Sequence, residues 1–190
     1  ANQVGGDDSP YRIFSRQLVW AGLGLVAMLL AMAVPYQRWR PFVIPAAVLA
    51  SGAMMLPFVP GVGATINDAN SWVRFGSFGF QPSELLKLAS IALLADYFTR
   101  HHNELHDTRR GLVPLAVVAG GCAGVSFIQG DLGSAIVLAS VLLAVGVIAG
   151  VPLMHISAIS IVGAVGALVA IVSDPRRFNR LTAFRDIEGN

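Results

Sequence analysis

The feature that most constrains this chain is a series of six apolar blocks, Leu18–Val34, Phe42–Val59, Pro82–Phe98, Leu112–Ile128, Leu132–Ala149 and Leu153–Val172. A hydrocarbon core of about 30 Å is crossed by about 20 helical residues, and each block is close to that length. Inside lipid the backbone finds no hydrogen-bond partner but itself, so each block is read as a helix. A closed β-barrel would need strands of about ten residues alternating apolar and polar, whereas these runs are continuously apolar. Composition agrees: 55% of the residues are hydrophobic and 13% charged, where a soluble domain carries about 25% charged residues. The predicted fold class is an all-α polytopic membrane protein, with residues 1–190 forming a single transmembrane domain. Small residues near Gly22 (GLGLVA) and Gly163 (GAVGALVA) permit close helix approach.

The formal charge of +2 is too small to argue for a nucleic-acid partner, and membrane lipids are the expected surroundings. One cysteine, Cys122, lies within an apolar block, which leaves no intramolecular disulfide and no cysteine metal site; it reads as a small packing residue. The opening stretch ANQVGGDDSP has neither an initiating Met nor the basic-then-apolar pattern of a signal peptide, and the chain stops in the polar DIEGN. The expectation is a chain cut at both ends.

Two connections stand out. Pro60–Gln81 reads as a long loop, and Thr99–Gly111 as a short, flexible polar loop with three Arg and three His. A metal site at His101, His102 and His106 is disfavoured by the absence of a carboxylate-rich shell. Arginine counts on alternate sides do not decide orientation: Tyr36–Arg40 and Thr99–Gly111 hold five, the opposite side three without the C-terminal tail and seven with it. The reading favours Thr99–Gly111 as cytoplasmic and Pro60–Gln81 as external.

Chemistry concentrates in Trp72–Leu88, WVRFGSFGFQPSELLKL. Pro82 suits the first position of a helix. Glu84 can cap the first turn, where the helix dipole favours it, and Lys87 lies one turn later on the same face. Charges at the mouth of a membrane helix are costly unless paired or wetted and so mark a functional site. A helix N-terminus beside a lysine is also suited to an anion such as phosphate. The alternative is an ion pair that only fixes the helix entry.

The FGFQPSELLKL segment resembles the most recognisable motif of the FtsW/RodA (SEDS) family. Other segments are similar to that family in the same order: Arg16–Gln17 before the first span, WVRFG at Trp72–Gly76, QGDLGSA at Gln129–Ala135 and RRFNRLTAF at Arg176–Phe184. Ser71 stands where the family usually has Arg, Asp68 near a usual Gly, Gly130 in place of a Pro, and Ile187 where a Pro usually follows Asp186. These departures suggest a divergent member, closer to the division type than to the elongation type.

The resemblance implies a bundle of roughly ten helices, of which this chain supplies the second to the seventh, in a bacterial inner membrane. It implies a peptidoglycan glycosyltransferase that polymerises lipid II, a polyprenyl-pyrophosphate-linked disaccharide peptide, alongside a class B penicillin-binding protein (a transpeptidase) and other division proteins. The family's proposed catalytic aspartate would lie beyond Asn190, so no catalytic residue is assigned and this chain alone is expected to be inactive. Substrate-binding candidates are Lys87, Glu84, Trp72, Arg74, Gln81, Ser83, Asp131, Arg177 and Arg180. Asp131 also reads as the N-cap of the fifth span, Trp72 as an interfacial anchor, and the arginines of 176–185 as headgroup contacts. Asp96 is expected to be solvated. No cofactor is evident; a divalent cation would assist a pyrophosphate leaving group, but no site for one is identifiable. The rival readings are a lipid-linked precursor transporter or flippase and a non-catalytic scaffold of the division machinery.

Overall fold

The computed structural model describes residues 10–66, 69–75 and 78–173, so Arg177 and Arg180 lie outside the described residues. The chain divides into two units at Pro41/Phe42. The first holds helix α1 (Pro10–Ala33) and the opening turns of α2 (Tyr36–Ala53). Helix α1 begins well ahead of the expected Leu18, because its polar residues Arg16 and Gln17 continue the helix beyond the apolar block. Its large apolar residues, from Phe14 through Leu18, Leu23 and Leu29 to Met32, are all exposed. A helix apolar on every face belongs in lipid or in a large core.

The second unit contains the rest of α2, a short 3₁₀ turn at Leu56–Phe58, three strands, and the helices α3 (Pro82–Arg100), α4 (Leu112–Ile128), α5 (Leu132–Ala149) and α6 (Leu153–Val172). The last three match the apolar blocks residue for residue. Helix α2 starts at Tyr36 rather than Phe42 and gives way to the 3₁₀ turn before Val59. Helices α1, α2 (with the turn after it), α5 and α6 are each long and apolar enough to cross a membrane; α4 is apolar over 17 residues. Helix α3 carries Glu84, Lys87, Asp96 and Arg100, so it relies on packing and pairing within the bundle more than on its own hydropathy.

The core forms where α3, α4 and α5 meet. Helix α4 buries Leu115, Ala119, Cys122 and Ser126, and α5 buries Ala135, Leu138, Leu142 and Gly146. Both sets repeat every three or four residues and so define one face of each helix. Helix α3 contributes Leu86, Ala89, Leu94 and Phe98. A Cβ on Gly146 would lie 2.7 Å from Leu115 Cδ2, so the absence of a side chain there lets α5 approach α4. Ser90 Oγ and Cys122 Sγ, 3.2 Å apart, satisfy each other inside this core, consistent with a packing role for the cysteine.

The mostly helical, polytopic fold is as expected, but the reading of Pro60–Gln81 as a plain loop needs correction: it contains a three-stranded antiparallel sheet, β1 (Gly63–Ile66), β2 (Ala69–Phe75) and β3 (Phe78–Phe80), in the order β1-β2-β3. Partners are Ala64 with Trp72, Val73 with Phe80 and Arg74 with Gly79. The period of two in ANSWVRF explains it: Ser71 and Val73 are buried, while Asn70 and Trp72 are half-buried and Arg74 exposed. Ser71, where the resemblance has Arg, is 1% exposed.

The Thr99–Gly111 connection is also more ordered than expected. It contains a 3₁₀ turn at His102–Glu104 and buries Leu105. His101 stacks on Tyr97 with ring centroids 4.4 Å apart. Asp96 is not simply solvated: it is 13% exposed and accepts a 2.8 Å hydrogen bond from Arg100 Nε.

Candidate functional site

The polar residues of the second unit gather where the sheet meets the ends of the helices. Strand β3 runs into Gln81, the N-cap residue of α3, whose extended backbone (φ −109°, ψ 113°) turns the chain into the helix. Pro82 takes the first helical position as expected. The Gln81 side chain does not cap its own helix. It reaches α5 instead, where Nε2 donates to Asp131 Oδ2 at 2.7 Å and to Ser134 Oγ at 3.3 Å.

Asp131 is the N-cap of α5, as anticipated. Its Oδ1 accepts the Ser134 backbone N–H at 2.9 Å and its Oδ2 accepts Ser134 Oγ–H at 2.7 Å. With Gln81 added, the carboxylate accepts three hydrogen bonds. That arrangement holds α3 and α5 together at their starts and leaves Asp131 poorly placed to act as a free base.

The turn before Asp131 is fastened from the other side. Gln129 is buried, and its Nε2 donates to Met54 O at 2.7 Å near the end of α2. Its carbonyl accepts the Asn70 N–H of β2 at 2.8 Å. Gly130 between them sits at φ +81°, a left-handed conformation open to glycine and closed to proline. The Gly-for-Pro departure therefore permits this turn. Gln129 and Ser134 were not singled out as site residues. Ser134 was findable, since a side chain three residues after an N-cap aspartate faces the cap; Gln129 opens the family-like QGDLGSA segment, but its bond to Met54 O has no local signal.

Glu84 and Lys87 pair as predicted, with Nζ to Oε1 at 2.7 Å. Glu84 does not cap α3: its side chain is 60% exposed and turned to Lys87, which is 21% exposed. One of the three ammonium donors is used, so two remain for an anion. Among the described residues no hydrogen bond joins this pair to the Gln81–Asp131–Ser134 group. Ser83 is buried with its Oγ unpartnered, as is Ser71. Trp72 and Arg74 lie on β2, on the sheet face opposite Ser71 and Val73. The described residues contain no group of three His, Cys, Asp or Glu side chains able to hold a metal.

A model of the family described as "Cell cycle protein" (FtsW/RodA/SpoVE) matches residues 1–190. The stage V sporulation protein E of Bacillus subtilis is 32% identical over 93% of this chain and 48% of its own length. A protein named probable peptidoglycan glycosyltransferase FtsW from Thioalkalivibrio sulfidiphilus is 33% identical over 93% of this chain and 44% of its own length. Among solved structures, a mutant of the rod shape determining protein RodA from Thermus thermophilus superposes with a TM-score of 0.64. It is 26% identical, and the match covers 84% of this chain and 50% of that one. This chain therefore spans about half the length of these relatives. On the family match over its whole length, supported by the RodA-like fold, the chain belongs to the FtsW/RodA/SpoVE family of multi-pass membrane proteins.

Proposed function

We propose that the whole protein is a peptidoglycan glycosyltransferase that polymerises lipid II at the outer face of a bacterial cytoplasmic membrane. The observation that carries this reading is the placement of the Glu84–Lys87 pair at the start of α3, beside the Gln81–Asp131–Ser134 anchor. Relatives named for the same activity support it. In the reaction an acceptor hydroxyl oxygen bonds to the anomeric carbon of the donor sugar. The bond from that carbon to the pyrophosphate oxygen breaks, and the hydroxyl proton passes to a base. Negative charge grows on the leaving pyrophosphate, where a preorganised cation and helix dipole act best.

Lys87 is suited to that role. It lies five residues after Pro82, about 7.5 Å along the helix axis, and its stem can carry the ammonium back to the interface. Glu84 holds the ammonium in position and offsets its charge before substrate arrives. Gln81, Asp131 and Ser134 fix the mutual placement of α3 and α5. Trp72 and Arg74 fall to the same end of the bundle and are assigned as further substrate contacts, whereas Ser83 is buried at the start of α3. Asp131, whose oxygens already accept three hydrogen bonds, is assigned a positioning role and not that of the base.

The relatives named FtsW favour a role in cell division, with a class B transpeptidase and division proteins as partners. The exposed apolar faces of α1 and α6 suit lipid or a partner's transmembrane helix. Purified whole protein supplied with lipid II is expected to yield glycan strands, read as a ladder on a gel. Lipid II moved across vesicle membranes with no polymer formed would contradict the proposal.

A further inference from the structure

The outward face of the sheet has an arrangement that the leaving-group chemistry does not use. In β2, Trp72 and Arg74 project from the same face two residues apart, about 7 Å along the strand. Their directly opposed neighbours are the two smallest kinds of side chain, Ala64 across from Trp72 and Gly79 across from Arg74. A Cβ at Gly79 would lie 3.6 Å from Arg74 Cγ, so the glycine leaves the arginine stem lying against bare backbone. On this face Trp72 is half-buried and Arg74 exposed.

Arg74 is exposed, and among the described residues no carboxylate pairs with it. An indole beside an unpaired guanidinium is a combination that recognises sugars bearing acids. The apolar face of a pyranose ring packs on the indole, and the guanidinium takes a carboxylate in a two-point contact.

We propose that the Trp72–Arg74 face binds the growing or acceptor glycan strand, a polymer of amino sugars whose peptide stems carry carboxylates, apart from Lys87, to which the lipid pyrophosphate is assigned. The proposal rests on the polymerase reading for the identity of the sugar. Its geometry explains why the face adjoins the site. Asn70, two residues before Trp72, donates its N–H to Gln129 O in the turn that leads to Asp131. Strand β3, which pairs with β2 through Arg74 and Gly79, runs directly into Gln81. A strand held on this face is thus held against the start of α3.

The test is equilibrium binding of a fluorescently labelled, lipid-free peptidoglycan oligosaccharide to whole protein in nanodiscs, with a neutral chito-oligosaccharide of equal length as comparison. Neither probe contains pyrophosphate or prenyl chain. Trp72→Ala is expected to weaken binding of both probes about tenfold, and Trp72→Phe to restore most of it, in line with the packing energy of an aromatic face. Arg74→Ala is expected to weaken only the acidic probe, about tenfold, as lost charge-assisted hydrogen bonds require. Unfolding temperatures of the Phe and Arg74→Ala variants control for damage to the sheet.

Wild-type affinity for both probes in Trp72→Ala would overturn the proposal. So would emission from Trp72, isolated as the difference between wild type and Trp72→Phe, that is quenched by brominated lipid and unchanged by glycan; Trp72 would then be an interfacial anchor. Polymerisation of lipid II without Trp72-dependent glycan binding removes this inference alone. Glycan binding with the stated dependence but no polymerisation removes the enzyme reading and keeps the glycan site.

Discussion

The two ends of the α3–α5 bundle treat their polar groups in different ways. At the sheet end local bonds such as Glu84–Lys87 and Asp131–Ser134 are joined by others between residues far apart in the chain: Gln81 to Asp131, Gln129 to Met54, and Asn70 to Gln129. At the Thr99–Gly111 end the hydrogen bonds are local. Arg100 bonds Asp96 one turn back, the His101 ring lies against the Tyr97 carbonyl, and Arg110 pairs with Glu104. Local bonds finish a helix or a turn and commit no second element. Long-range bonds fix α2, the sheet, α3 and α5 relative to one another, and losing one loosens several elements together. The end to which the substrate site is assigned is the one that carries the long-range bonds.

Breaking the sheet end should cost most at Asp131. Asp131→Ala removes the cap of α5 and the acceptor of Gln81, so a loss of about 2–4 kcal/mol is expected from a cap together with an unsatisfied amide. Chemical unfolding in detergent measures it. Gln129→Met keeps the side-chain volume but strips Met54 O of its donor, for an expected loss of about 1–3 kcal/mol. A double-mutant cycle on Gln81 and Asp131 should show coupling of about 1 kcal/mol, as contacting residues in one network do. The smallest effect belongs to the other end, where Arg110→Ala should stay within about 0.5 kcal/mol because its partner is exposed. Equal losses at the two ends would erase the distinction.

The helices were legible because lipid imposes length and continuity on them. Helices α4, α5 and α6 begin and end where the apolar blocks do. The ends of α1 and α2 were misjudged, since a helix continues through Arg16 or Trp39 after hydropathy has fallen. The sheet was missed although ANSWVRF alternates, because strands of three to seven residues leave a weak signal inside a segment rich in Gly and Asn. The Glu84–Lys87 pair was visible from helical spacing, and the Asp131 cap from its place before an apolar run. The meeting of Gln81 with Asp131 was not, because 50 residues separate them and only the packing of α3 on α5 joins them. The capping role expected of Glu84 failed because Lys87 offers its carboxylate a full charge within reach.

Lipid II turnover by Lys87→Ala in the whole protein, measured beside its unfolding temperature, decides whether Lys87 serves the pyrophosphate. A loss of about 100-fold in turnover is expected, the scale of removing one preorganised stabiliser of transition-state charge, with stability close to wild type. Lys87→Arg should retain part of the activity because the charge survives without its point-like geometry, and Glu84→Ala should harm turnover less than Lys87→Ala does. A purely structural ion pair predicts that both alanine variants destabilise alike and that the double variant is milder than their sum. Normal turnover by a folded Lys87→Ala protein would contradict the assignment of Lys87 to the pyrophosphate.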